Sequence, residues 1–137
     1  MDKIYEPKYS IDTHQHLWIL SERKYDWISP DYGVLYGDFT PEGVAADVQA
    51  AGITGTVLVQ AADTYEDSFY MLSVASKSSA IAAVVGWLPF DRPEEAQEAL
   101  SLFKNSPVIK GFRSLTHTYE DPRWILGSGV SKTLFAA

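Results

Sequence analysis

Cysteine is absent from this 137-residue chain. That excludes disulfides, thiolate zinc sites and cysteine nucleophiles. Positive charge is scarce: 11 Lys and Arg against 18 Asp and Glu leave a formal net charge of -7. Nucleic acid and anionic membrane both require a basic footprint, so neither is expected as a partner. Long apolar runs are missing too. The most apolar stretch, 81–88, falls far short of the roughly 20 residues that cross a bilayer. Residues 1–8 are polar and lack the apolar segment of a secretory signal. A cytoplasmic protein with a small-molecule substrate is the expectation. No Gly-x-x-x-x-Gly-Lys, Gly-x-Gly-x-x-Gly or Gly-x-Ser-x-Gly motif occurs, and Gly127-Ser128-Gly129 reads as a short breaker.

Hydrophobic residues make up 46% of the chain and charged residues 21%, a balance that supports a folded core. Apolar runs occupy 9–12, 54–61, 80–88 and 108–112. They are continuous rather than alternating, as in parallel strands buried on both faces. Helical patterns lie between them. Thr40-Pro41-Glu42 reads as an N-cap followed by proline in the first turn, with Val44, Val48 and Ala51 as the stripe and Gly52 as the stop. Tyr65, Phe69 and Leu72 form a second stripe. Asp91 precedes Pro93, Glu94 and Glu95, which predicts a capped, acidic helix start, with Ala96, Leu100 and Phe103 as its stripe. The order is βαβαβαβ, which implies a parallel α/β sheet with right-handed crossovers. An open doubly wound sheet and a closed barrel both fit this pattern.

Val130, Leu134 and Ala137 begin a further helical stripe where the sequence stops. A closed (β/α)8 TIM-type barrel needs about 250 residues. Residues 1–137, with about four βα units, are therefore expected to be a truncated, N-terminal half of such a barrel. The alternative is a half-barrel that self-associates as a homo-oligomer through unpaired strand edges.

Residues 17–39 read as a long loop after the first strand. It is rich in aromatics (Trp18, Tyr25, Trp27, Tyr32, Tyr36) and broken by Pro30, Gly33 and Gly37. Just before it stands Asp12-Thr13-His14-Gln15-His16. Alternate strand residues share a face, so His14 and His16 point the same way. Two neutral imidazoles side by side can chelate a divalent cation such as zinc. By the same alternation Asp12 shares their face. It would orient a ligand, serve as one, or make only a strand-end hydrogen bond.

The segment Ile11-Asp12-Thr13-His14-Gln15-His16-Leu17-Trp18 resembles the opening motif of the amidohydrolase-related (amidohydrolase 2) family of the amidohydrolase superfamily, in its lactonase-like branch. Further segments resemble that branch in order: Tyr25-Asp26-Trp27-Ile28, Asp38-Phe39-Thr40-Pro41-Glu42, Gly55-Thr56-Val57-Leu58-Val59-Gln60-Ala61, Val84-Val85-Gly86-Trp87 and Lys110-Gly111-Phe112-Arg113. The similarity runs from about Ile11 to Leu126 and favours the barrel.

The resemblance implies a hydrolase of a small sugar or aromatic-catabolic lactone. His14 and His16 would be the first two metal ligands, with zinc the implied metal. The remaining ligands and the general base would lie beyond Ala137. In some lactonase relatives the metal is weak or dispensable, and cationic groups stabilise charge instead. Arg113 would clamp an anionic group; the plain alternative is a surface salt bridge. Gln60 would face the pocket or brace the strand ends. Trp18, next to the histidines, would border the pocket. His117, on a loop of the same face, would meet substrate or stay solvated. Lys110 would reach out to solvent or sit in the barrel mouth, and Trp87 and Trp124 would pack. Two alternatives stand beside the lactonase reading: an inactive, self-associating fragment, and a metal-dependent decarboxylase of an aromatic acid.

Overall fold

The structure, a computed structural model, describes residues 8–121 and 123–127. Four strands alternate with three helices: β1 (Ile11–Gln15), α1 (Pro41–Ala50), β2 (Gly55–Val59), α2 (Tyr65–Lys77), β3 (Ile81–Trp87), α3 (Pro93–Phe103) and β4 (Ile109–Arg113). All strand pairs are parallel and the sheet order is β1-β2-β3-β4. Each strand lies beside its sequence neighbour. A doubly wound sheet reverses its order at a switch point, whereas a barrel does not. The fold is thus the strand order of half a (β/α)8 barrel. The stripe at Val130, Leu134 and Ala137 lies outside the described residues.

The apolar runs become strands because the helices bury one face in the middle of the sheet while the other stays partly covered. Leu58 and Val84 are fully buried under Met71 and Val74 of α2, with Leu17 completing that cluster. Leu88, Phe90, Ala96, Ala99 and Phe103 form a second cluster beneath α3. Val57 and Val85 occupy the opposite face by alternation and are only half-buried. β1 starts later than the apolar run suggests. Tyr9 is 66% exposed, and the strand extends to Gln15 because the polar residues pair with β2.

The helix caps follow the sequence in part. Thr40 caps α1 by accepting from the backbone N–H of Gly43 at 3.1 Å. Gly52 follows α1 with φ +68, the left-handed conformation that stops a helix and that side chains disfavour. The α1 stripe is shallower than expected: Val44 and Val48 are half-buried and Ala51 is exposed. At α3, the N-cap position is Arg92 rather than Asp91, and no side chain caps the helix. Arg92 instead reaches forward to Glu95 at 2.6 Å and back to Asp91 at 3.4 Å.

The second helix also departs from its stripe. Phe69 is 50% exposed, while Asp67, Ser68, Met71 and Val74 are buried. Counting only apolar residues missed two polar ones that belong inside. Ser68 accepts from the backbone N–H of Trp87 at 2.9 Å. Asp67 accepts from the backbone N–H groups of Ala61 and Ala62 at 2.7 and 3.3 Å. Both side chains finish strand ends that would otherwise leave buried donors unpaired. Gly86 packs close by: a Cβ there would lie 3.2 Å from Ser68 Oγ, so the hydroxyl would have to shift by a few tenths of an ångström.

Residues 17–39 carry no α-helix; they run through short turns, with 3-10 geometry at Pro30–Leu35 that is interrupted at Gly33. The loop nevertheless has its own core. Trp18 and Phe39 close its base as an antiparallel bridge, with N–H···O bonds of 3.1 and 2.7 Å. Trp18, Tyr25 and Ile28 pack with Ala61 and Ala62. Tyr25 donates its hydroxyl to Asp67 at 3.4 Å. Burial first, then the Asp67 charge, push the Tyr25 phenol up to about 12. The same burial holds the Asp67 carboxyl above its ordinary value, against the opposing effect of its hydrogen bonds.

Candidate active site

The carboxyl ends of β1, β2 and β4 meet around the histidine pair. His14 lies on β1 and His16 one residue beyond it. Their Nε2 atoms are 3.1 Å apart, with the rings edge to face. Nδ1 of His16 sits 2.8 Å from the carbonyl oxygen of Val59. A carbonyl only accepts, so Nδ1 carries the proton and the neutral ring presents a lone pair at Nε2. Burial keeps His16 below its ordinary value of 6.5. The positive charge of Arg113 and the neighbouring His14 act the same way, while the bond to Val59 and the charge of Asp12 oppose them. His16 is therefore neutral at pH 7.

His14 stands between two neighbours. Its Nε2 is also 3.5 Å from Nη1 of Arg113, which can only donate. A ring that accepts from Arg113 there cannot also donate to His16. The single lone pair of His14 Nε2 is then shared between Arg113 and the space in front of His16 Nε2, 3.1 Å away. A divalent cation reached by both Nε2 atoms satisfies them together, so this donor set fits a metal. The Val59 carbonyl supplies the outer hydrogen bond that fixes the tautomer of a ligating histidine. Among the described residues, no group of three His, Cys, Asp or Glu side chains gathers as a metal cluster.

Of the roles open to Asp12, the strand-end hydrogen bond is the one observed, and its charge also acts on His16. The register shifts between Asp12 and Gln15, so three steps along β1 match two along β2. Alternation cannot be carried across such a bulge. The Asp12 carboxylate accepts from the backbone N–H of His14 at 3.0 Å, the strand-end bond.

Arg113 ends β4 and is half-buried. No carboxylate forms an ion pair with it among the described residues, so it is not a surface salt bridge. Nη2 donates to the carbonyl of Gln60 at 2.8 Å. Burial holds the guanidinium below its ordinary value, opposed by the charges of Asp63 and Asp67, but an arginine remains cationic. Gln60 is fully buried and braces the strand ends. Its Nε2 donates to Asp63 at 2.9 Å and to the carbonyl of Arg113 at 3.4 Å.

Three successive carbonyls at the end of β2 thus each hold a different side chain. Val59 holds His16, Gln60 holds Arg113, and Ala61 accepts from the indole N–H of Trp27 at 2.6 Å. This last bond fastens the aromatic loop to the site. His16, Trp27, Tyr32, Arg113 and His117 line one cavity of about 270 Å³, with Ala61 and Leu115 completing it. A recess of about 520 Å³ adjoins it, sharing Trp27, Tyr32, Leu115 and His117 and adding Lys24, Asp26 and Asp63. All three histidines of the chain are therefore gathered at this end of the sheet.

Trp18 is not a lining residue. It is 8% exposed and lies behind the wall, edge to face with Trp27 at 5.5 Å. The wall itself is Trp27 and Tyr32, with ring centres 5.9 Å apart. Proximity in sequence to the histidines pointed to the wrong tryptophan. The chain turns at the closing bridge, and only the bond to Ala61 reveals which indole reaches the site. Lys110 is exposed. Trp87 is buried against Tyr65, and Trp124 stacks on Tyr119 at 4.0 Å. A separate groove of about 440 Å³ runs beside α1, but no titratable side chain lines it.

No protein-family profile matches the chain. Two curated proteins named L-fucono-1,5-lactonase are similar to it. The one from Burkholderia ambifaria is 34% identical over 117 residues, covering 85% of this chain and 40% of that protein. The one from Burkholderia multivorans is 30% identical over 113 residues, covering 82% and 38%. The structure of an amidohydrolase from Burkholderia multivorans with bound zinc superposes at a TM-score of 0.79 and 26% identity, over 91% of this chain and 44% of that one. An amidohydrolase 2 from Bifidobacterium longum subsp. infantis shares the fold at a TM-score of 0.64 and 20% identity, over 92% and 46%. The chain spans about two fifths of the length of the curated relatives it matches.

Proposed function

Because the chain belongs to the amidohydrolase superfamily, among its lactonase-like members, we propose that it forms the first part of a barrel that hydrolyses a small sugar lactone, of which L-fucono-1,5-lactone is the leading candidate. The observation that carries this reading is the meeting of His14, His16 and Arg113 at one end of the sheet. Residues 1–137 would supply the first βα units of the domain, the aromatic wall and part of the catalytic set.

The chemistry follows from these residues. Water attack on a lactone carbonyl places negative charge on the carbonyl oxygen, and ring opening leaves a carboxylate. Arg113 offers a fixed, half-buried cation to that charge. Its bond to the Gln60 carbonyl holds the guanidinium in place before substrate arrives. His14 and His16 would hold a divalent metal, zinc by preference for nitrogen donors. When bound, such an ion supplies Lewis acidity at the carbonyl. Trp27 and Tyr32 offer aromatic faces to the apolar side of a sugar ring, and His117 offers a hydrogen-bonding edge across the cavity. No helix among the described residues is long and apolar enough to cross a membrane.

The test is acid release from L-fucono-1,5-lactone by the polypeptide that carries this chain, as purified, after chelation and after zinc is restored. Lactone-dependent acid release that His14→Ala and Arg113→Ala each abolish supports the reading. Full activity in both variants would sink it. Carbon dioxide release from an aromatic acid in place of lactone opening would transfer the site to the decarboxylase alternative.

A further inference from the structure

Asp63 follows β2 in the loop before α2 and is half-buried, at the edge of the recess that adjoins the site. Both of its carboxylate oxygens are engaged. Oδ1 accepts from Gln60 Nε2 at 2.9 Å and from the backbone N–H of Leu115 at 3.1 Å. Oδ2 accepts from the hydroxyl of Ser114 at 2.9 Å and from the same N–H at 3.1 Å. A carboxylate filled this way is not free to take a proton from water. Its partners are instead the residues on either side of Arg113's attachments. Ser114 and Leu115 follow Arg113 directly in the chain. Gln60 supplies the carbonyl that receives the guanidinium, and its side chain reaches the carbonyl of Arg113.

We propose that Asp63 is a positioning residue for substrate: it fixes the direction of the Arg113 guanidinium by clamping both ends of the arginine's framework at once. One end is the backbone on the C-terminal side of Arg113. The other is Gln60, which holds the tip. β3 lies between β2 and β4 in the sheet, so β2 and β4 share no ladder that could set their ends relative to one another. Beside the two bonds between Gln60 and Arg113, Asp63 adds a charged cross-tie between those ends. Charge-assisted bonds of this kind are stronger than neutral ones, which suits a tie at the mouth of the site.

The inference rests on the reading of Arg113 as the anion-binding group, and the experiment separates the two. L-fuconate, the carboxylate left by opening L-fucono-1,5-lactone, is titrated calorimetrically into the parent chain, Asp63→Ala, Arg113→Ala and the double variant. Asp63→Ala is expected to weaken L-fuconate about tenfold when Arg113 is present and less than about twofold when Arg113 is already alanine, since residues acting through one another are not additive. A role confined to general stability would weaken binding equally in both backgrounds, and that result overturns the proposal. Zinc affinity, read in parallel, is expected to fall far less than L-fuconate affinity in Asp63→Ala, because His16 is anchored on the Val59 carbonyl and not through Asp63. An equal loss of zinc binding also overturns it. If Arg113→Ala leaves L-fuconate affinity intact, or the parent shows no saturable binding, the reading of Arg113 falls and the proposal with it. If Arg113→Ala weakens binding and Asp63→Ala does not, only the proposal falls. Should Asp63→Ala fail to fold, Asp63→Asn runs the same cycle, because it keeps the shape while removing the charge and one pair of acceptor sites.

Discussion

Arg113 and Gln60 hold each other reciprocally. The guanidinium donates to the Gln60 carbonyl at 2.8 Å, and the Gln60 amide donates to the Arg113 carbonyl at 3.4 Å. Gln60→Leu keeps the volume and the backbone acceptor but removes the amide. It is expected to cost about 1–3 kcal/mol, because the Asp63 oxygen and Arg113 carbonyl lose a buried donor. Chemical denaturation would check this, and a variant as stable as the parent would argue that water replaces the amide.

His14→Ala and His16→Ala are each expected to remove the zinc-dependent rise in thermal stability. A ligand at 100 times its dissociation constant stabilises the native state by about 2.7 kcal/mol, so the parent's shift is large enough to read. Melting curves with and without zinc decide the matter. A shift that survives in both variants places the metal elsewhere.

Trp27→Phe keeps an aromatic wall but loses the indole N–H that reaches Ala61. The expected cost is about 1 kcal/mol of stability. Hydrogen exchange at residues 17–39 should rise, while exchange in β3 stays slow. Uniform acceleration over both segments would show that the loop is not separately fastened.

Asp67 gives a pH signature. Burial raises its folded-state value above 3.8. The folded state then holds the proton more tightly than the unfolded chain. The associated stabilisation is fully present below pH 3.8 and is lost as pH rises through the folded value. Asp67→Asn lacks this dependence. Its melting temperature relative to the parent should therefore move in the variant's favour between pH 3.5 and pH 7. A constant difference across that range would contradict the raised value.

Leu58 is wholly buried at the centre of the cluster under α2. Leu58→Ala should cost about 2–5 kcal/mol, the usual range for an apolar core truncation. Urea denaturation followed by circular dichroism measures it, and a cost below 1 kcal/mol would mean that the neighbouring side chains collapse into the space.

Much of the fold was legible because β2 and β3 are continuous apolar runs and Thr40-Pro41 and Gly52 bracket α1 with unambiguous chemistry. The histidine pair was legible because two side chains one residue apart share a face locally. What failed were inferences that crossed an irregularity. The register shift between Asp12 and Gln15 meant that alternation alone did not choose among the roles open to Asp12. Asp67 and Ser68 were invisible as interior residues because their role is to satisfy strand ends distant in sequence. Trp27 was passed over for Trp18 because the folding of a loop on itself leaves no periodic trace. Asp63 carried no signal, since two of its three partners, Ser114 and Leu115, lie 51 and 52 positions away.

The three carbonyls that close β2 are main-chain atoms, so no point substitution deletes them. Amino-acid replacement at Val59 or Ala61 leaves the acceptors for His16 and Trp27 in place, provided the strand keeps its course. An insertion or deletion of one residue is another matter. It would displace imidazole, guanidinium and indole acceptors together. This short stretch should therefore tolerate changes of letter far better than changes of length.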